Sequence, residues 1–314
     1  MLSRVADNLY WFGRYLQRAE NTARLIMVNA SLILDLPKHA TFGWGPLIEI
    51  VGAKETFAKL YPLYPDASEA SVVRFLVLDQ NNPGSIFSSL HFAREILRTA
   101  RDTMPREIWE KLNDLYLFVQ EKGDRVTSRA RRQDFLNEIV EIALLIYGML
   151  ISNMSREVGF QFLRIGSNLE QADMTTRIIE VRSTTMIRAG SSDQLAPFLN
   201  IWWMSVLRSL TAYQMYRRHV RIRVSGPSVL RFLLQNRQFP RSVMFCLNAI
   251  ASTLPHLPAN RKIERSIERT RALVQDADVE GLLQTDAGLH RLIDEIQIGL
   301  GDLHDAVSAA WFKL

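Results

Sequence analysis

Two fourteen-residue stretches set 153 positions apart carry one pattern. Gly13-Arg-Tyr-Leu-Gln-Arg-Ala-Glu-Asn-Thr-Ala-Arg-Leu-Ile26 aligns without a gap to Gly166-Ser-Asn-Leu-Glu-Gln-Ala-Asp-Met-Thr-Thr-Arg-Ile-Ile179. Six of the fourteen positions are identical, and Glu20/Asp173 and Leu25/Ile178 are conservative exchanges. Chance similarity between amphipathic helices explains the apolar matches but not the shared Ala-acidic-x-Thr-x-Arg step. A weaker echo pairs Asn82-Pro-Gly-Ser-Ile-Phe with Phe239-Pro-Arg-Ser-Val-Met in the same order. Duplication of a half-chain unit therefore predicts two similar halves, about 1–155 and 156–314, packed as one pseudo-symmetric body in a single domain over 1–314.

Apolar residues recur at spacings of three and four in one segment after another, and no series of alternating strands joined by Asn-Gly or Asp-Gly turns is present. The expected fold is all-α, a multi-helix bundle. Helices are expected near 4–34, 46–60, 69–79, 84–103, 106–121, 133–153, 158–188, 195–218, 227–236, 241–253, 261–275 and 286–311. Pro83, Pro105 and Pro240 are expected at first helical positions, where a missing N–H costs nothing. Pro37, Gly43, Gly45, Pro46, Pro62 and Pro65 break 35–67 into short pieces, the expected cover or flap. On the first helix Val5, Leu9, Phe12, Leu16, Ala19, Ala23, Met27, Ala30 and Leu34 form one apolar stripe, with Asp7, Trp11, Arg14, Arg18 and Asn21 opposite. Tyr10 and Trp11 are out of place on a fully wet face, which puts this helix at the centre of the fold.

The chain of 314 residues is 47% apolar and 23% charged, which excludes disordered and fibrous classes. Its single cysteine, Cys246, excludes an intramolecular disulfide framework and fits a reducing, cytoplasmic compartment. The N-terminus is broken by Asp7, Asn8 and Arg14 and lacks the continuous apolar region of a signal peptide. The longest nearly uncharged run, Ile142 to Met154, is shorter than the roughly 20 residues a spanning helix needs, so a buried core helix and no membrane segment are expected. Net charge is +5, yet Arg supplies 31 of the 38 basic positions and Lys 7. Arginine grips carboxylates and phosphates through a planar fork that lysine lacks, although codon bias and structural ion pairs explain scattered arginines equally well.

Other chemistry is sparse. The histidines His39, His91, His219, His256, His290 and His304 show neither His-Glu-x-x-His nor Glu-x-x-His spacing, so no metal is expected. No Gly-rich phosphate loop and no Gly-x-Ser-x-Gly occurs, so no cofactor is implied, and Cys246 within Val-Met-Phe-Cys-Leu reads as a core residue. The cluster Arg217-Arg-His-Val-Arg-Ile-Arg223 fits an anionic docking surface better than a nucleic-acid site.

The opening Met1-Leu-Ser-Arg-x-Ala-Asp-Asn-Leu-Tyr-Trp-x-Gly-Arg-Tyr, then Arg18-Ala-Glu-Asn-Thr-Ala-Arg24, Ala172-Asp-Met-Thr-Thr-Arg-Ile178 and Phe239-Pro-Arg-Ser-Val243 closely resemble the bacterial alpha-E family over essentially the full length. The resemblance implies an all-helical domain with a Glu-Arg motif and no established activity. It also implies the company of circularly permuted ATP-grasp ligases and transglutaminase-like proteases in peptide synthesis or modification, and it lends nucleic-acid binding no support.

The chain departs from the family where the motif stands. Each copy of the family motif carries Glu-Arg before the Ala-acidic step; here the copies read Gln17-Arg18 and Glu170-Gln171. Antiparallel packing of the two repeat helices would set Gln17 against Gln171 and Arg18 against Glu170, a structural clasp between the halves in which losing both partners of one pair strands no charge. Gln cannot replace Glu as a general base or a charged ligand, so the motif is not expected to be catalytic here. Asp7, Arg14, Glu20, Arg24, Asp173 and Arg177 remain candidates for a binding cleft, with interhelical ion pairs as the plainer reading. The expected function is a non-enzymatic helical accessory of an ATP-grasp ligase, or a presenter of its acidic peptide or aminoacyl substrate. The alternative is an acyl or aminoacyl transferase of the same pathway, with a cleft near the first helix.

Overall fold

Helices form where the three- and four-residue spacing puts them. The computed structural model describes residues 3–37, 40, 42–62, 67–190, 195–220, 223–283 and 286–312. Among these, α1 spans Ser3–Asp35, α2 Gly45–Ile50, α3 Lys54–Leu60, α4 Glu69–Val77, α5 Ile86–Thr99, α6 Arg106–Lys122, α7 Arg129–Asn153 and α8 Val158–Gly190. They continue with α9 Leu199–Ser209, α10 Tyr213–His219, α11 Gly226–Gln235, α12 Val243–Ala251, α13 Arg261–Gln275, α14 Val279–Leu282 and α15 Asp286–Trp311. No strand occurs among the described residues, and the fold is all-α. His39, Pro65, Arg221 and Ile222 lie outside them.

Two expected helices are broken. The segment 46–60 divides between α2 and α3, where Gly52 takes the left-handed backbone that ends a helix. The segment 195–218 divides between α9 and α10 at Thr211, whose φ is 51°. A β-branched residue gives no sequence signal for that conformation, so the break was not legible. The prolines also act differently from expectation. Pro105 is the N-cap of α6, while Pro83 and Pro240 lie two residues before the serines that cap α5 and α12. The Ser85 hydroxyl accepts from the Ser88 N–H at 3.1 Å, and Ser242 accepts from Phe245 N–H at 3.1 Å. The two echoed motifs thus act alike, each with a hydroxyl that satisfies a free N–H of the first turn.

The chain forms two compact units. Of the described residues, one comprises 3–27 and 43–170; the other comprises 28–42 and 171–312. The division falls at 170/171, and 28–42 belongs with the second unit. The reason is the length of α1 and α8, 33 residues each and about 50 Å, which contribute to both units. In the first unit α4, α5, α6 and α7 pack successively; in the second α11, α12, α13 and α15 do.

Within the first unit α1 is enclosed on almost every side: Leu9, Tyr10, Phe12, Leu16, Ala19, Ala23, Leu25 and Ile26 are all buried. The stripe stops short of its expected end: Leu34 is 84% exposed, whereas Leu32 and Leu36 on either side of it are buried. The closest packing is against α8. A Cβ on Gly13 would collide with the Leu163 carbonyl and Ser167, and one on Gly166 would collide with the Tyr10 carbonyl. Tyr10 and Gly13 meet residues 163–167, and about a turn further on Arg14 and Arg18 meet Glu170. In the second unit Asn29 meets Arg182. Partners advance in the same direction on both helices, so the expected antiparallel arrangement is corrected to a parallel one. Tyr147 of α7 donates to Ser167 Oγ at 3.0 Å beside this crossing.

Among the described residues, α7 is long and apolar enough to cross a bilayer by length and composition. Its Ala143, Ile146 and Leu150 are buried, but Leu144, Leu145 and Ile151 are exposed, so the expected core helix is only half covered. Gly148 lies among them with nothing within 4 Å of an added Cβ.

The two kinds of glycine make opposite predictions. Gly166→Ala forces backbone apart and is expected to destabilise by about 1–3 kcal/mol or more. Gly148→Ala has open space and better helix propensity, and is expected to stabilise by roughly 0.5–1 kcal/mol. Urea unfolding of the two variants beside the parent checks both signs.

Candidate functional site

The polar centre of the first unit is one carboxylate held by two guanidinium groups. Arg14 and Arg18 lie one turn apart on α1, so both reach Glu170 on α8. Arg18 Nε donates to Glu170 Oε1 at 2.6 Å and its Nη2 to Oε2 at 2.9 Å, and Arg14 Nε donates to Oε2 at 2.8 Å. Glu170 is 3% exposed. Burial pushes its carboxyl up, but Arg18 and Arg14 outweigh burial and hold it down to about 2. Aromatic rings flank the cations: Arg14 lies 5.3 Å from the Trp11 ring, and Arg18 lies 5.8 Å from that of Tyr15. Arg14 also donates to Tyr10 Oη at 3.1 Å, and burial raises that phenol to about 12.

Arg18 and Glu170 therefore pair, and the contact ties α1 to α8 inside the first unit. The expected amide pair is not made. Gln17 donates to Glu20 at 2.8 Å and to Asn21 at 3.3 Å along its own helix, and the buried Gln171 Nε2 has no hydrogen-bond partner.

The other candidates do not form one cleft. Glu20 pairs with Arg24 within α1, and Asp173 pairs with Arg177 at 2.9 Å within α8. These are intrahelical pairs four residues apart, where interhelical ones were expected. Asp7 is half-buried and acts on the Tyr15 phenol, which burial raises first of all. Clefts of about 410, 530 and 510 Å³ open elsewhere on the first unit. The largest takes only Leu9 from α1, with Asp102, Met154, Glu157 and Phe160 among its other walls. Asp7, Arg14, Glu20 and Arg24 line none of the three.

Sequence spacing overlooked one group. Glu180, His290 and Asp294 bring ligand atoms within 4.8 Å of one another, an arrangement able to hold a cation. His290 and Asp294 are four apart on α15, and Glu180 arrives from α8, an association that only folding supplies. His290 Nδ1 already lies 2.9 Å from Glu180. The buried Cys246 thiol is raised to about 12 by burial, which leaves no thiolate for nucleophilic chemistry at neutral pH. Arg217 and Arg218 are exposed at the end of α10.

With both oxygens held by guanidinium donors and its carboxyl depressed, Glu170 is a poor acid or base at neutral pH and a strong structural anion. Glu170→Gln is expected to cost about 3–5 kcal/mol, because it strands two partly buried cations. A carboxyl lowered on folding contributes stability that is complete above its ordinary value near 4.5 and lost as pH falls toward 2. Unfolding free energies measured between pH 2 and 6 should show that acid slope in the parent and a weaker one in Glu170→Gln.

Residues 1–312 match the family Alpha-E, described as "A predicted alpha-helical domain with a conserved ER motif". An uncharacterised protein of Mycobacterium bovis is 23% identical over an alignment of 334 positions, covering 99% of this chain and 37% of the relative. Uncharacterised proteins of Mycobacterium tuberculosis match over the same extent at 23% and 22% identity. This chain thus spans little more than a third of the length of these relatives. No solved structure matches significantly. The family match covers nearly the whole helical chain, from the Arg-rich face of α1 through Glu170 to the end of α15: this protein belongs to the Alpha-E family.

Proposed function

We propose that this chain is a cytoplasmic helical accessory of an ATP-grasp amide ligase in a bacterial peptide synthesis or modification system, docking the ligase or presenting its acidic peptide or aminoacyl substrate. The observation that carries the proposal is that the charged candidate groups of α1 and α8 are taken up by one another while α7 presents an exposed apolar stripe, a surface suited to meet a partner. In the mycobacterial relatives a region similar to this chain is joined to further polypeptide that makes up most of the protein.

The polar residues support an accessory over a transferase. Arg14, Arg18 and Glu170 satisfy one another, as do Glu20 with Arg24 and Asp173 with Arg177, so these groups already have protein partners. The exposed Leu144, Leu145 and Ile151 on α7 supply an apolar docking stripe, and the open Gly148 among them admits a close helix. Exposed Arg217 and Arg218 offer a charged complement for an acidic segment. The transferase alternative rests on the 530 Å³ cleft beside Leu9, which carries the carboxyl-bearing Asp102 and Glu157.

Co-purification with an ATP-grasp ligase of the same organism, followed by a product assay with and without this chain, decides between the readings. The expected result is association and a ligase yield that depends on this chain, both lost in Leu145→Glu/Ile151→Glu while helicity is kept. Ligase activity indifferent to the chain overturns the accessory reading. Product formed by the chain without ligase favours the transferase.

A further inference from the structure

Deeply placed guanidinium groups in the first unit reach carboxylates. Arg14 and Arg18 share Glu170, and Arg132, nearly enclosed, donates to Glu69 at 2.7 Å and to the Val126 carbonyl at 2.8 Å. Arg182 in the second unit does not follow that rule. It is 2% exposed, lies on α8 one turn from the buried Ile178, Ile179 and Met186, and donates from Nη2 to Asn29 Oδ1 at 2.7 Å. Its Nη1 is buried without a hydrogen-bond partner, and no described carboxylate pairs with it. Burial alone acts on the guanidinium and lowers it to about 10, still charged at neutral pH. Two further buried N–H donors of the second unit, Gln171 Nε2 and Trp202 Nε1, also lack acceptors.

A buried cation facing one neutral amide is costly, and a natural core retains such a group only with a reason. We propose that Arg182 anchors a binding site for a small oxyanion, a carboxylate or a phosphate, in the second unit. Nη1 supplies the free donor edge, and the Asn29 amide holds Nη2 so that the guanidinium plane is fixed before the anion arrives. This site is independent of any ligase partnership, because it concerns the charge balance of the second unit alone.

Thermal unfolding of the full chain at constant ionic strength tests it, with inorganic phosphate and with acetate as separate probes against chloride. The expected result is a saturable rise in Tm of several degrees with one probe, following the linkage of ligand binding to stability. The responding probe tells a phosphate ligand from a carboxylate one. Asn29→Asp places an anion at the Arg182 fork; it should raise Tm without any probe and abolish the response. Arg182→Met should abolish the response as well. No saturable rise in the parent with either probe overturns the site. So does an equal rise in the parent and in Asn29→Asp, a result that needs no folded Arg182→Met.

Discussion

The close passage of α1 along α8 is the constraint on which the first unit depends. Gly13 and Gly166 face backbone where a methyl group would not fit, and Tyr10 and Leu163 supply the carbonyls that approach them. Helices this near leave little room for water between their next turns, so charges there need protein partners. The Arg14–Glu170–Arg18 triad answers that need just beyond the glycines: one buried carboxylate, three charge-assisted hydrogen bonds, and aromatic rings against the cations. Removing either the glycines or the carboxylate would disturb the same contact.

The arginine excess takes on a physical meaning from this arrangement. Glu69 gathers Arg129 and Arg132 as Glu170 gathers Arg14 and Arg18, and Arg132 also lies 5.4 Å from the Trp44 ring. A planar fork that bonds through Nε and Nη while its face rests on an aromatic ring suits such partly enclosed sites; a lysine ammonium has neither the fork nor the face. Part of the excess is therefore internal structure. Arg182, buried with an amide beside it and Nη1 unpartnered, is the exception for which a ligand is proposed.

The changed Glu-Arg positions fit the same account. With Arg18 on one helix and Glu170 on the other, one charged pair is preserved and Arg14 is recruited to it. Gln17, relieved of a partner across the interface, bonds to Glu20 and Asn21. Consecutive Glu-Arg pairs do occur at Glu264-Arg265 and Glu268-Arg269, but those side chains are exposed on α13.

Helical class, the central place of α1, the serine-bearing echoes and the proximity of Arg18 to Glu170 were legible in the sequence, because periodicity and repeated polar positions are local or pairwise properties. The direction of α8 against α1 was not. Parallel and antiparallel packing both bring position 18 near 170, and only the whole series from Gly13 to Asn29 separates them. Nor could spacing reveal the break at Thr211, the meeting of Glu180 with His290, or the lone enclosure of Arg182. Each depends on which distant chain segments exclude water from a side chain. Sequence alone determined the helical class and most of the apolar faces, which are local properties; tertiary structure decided where helices break and, among the described residues, which buried charges meet a carboxylate and which do not.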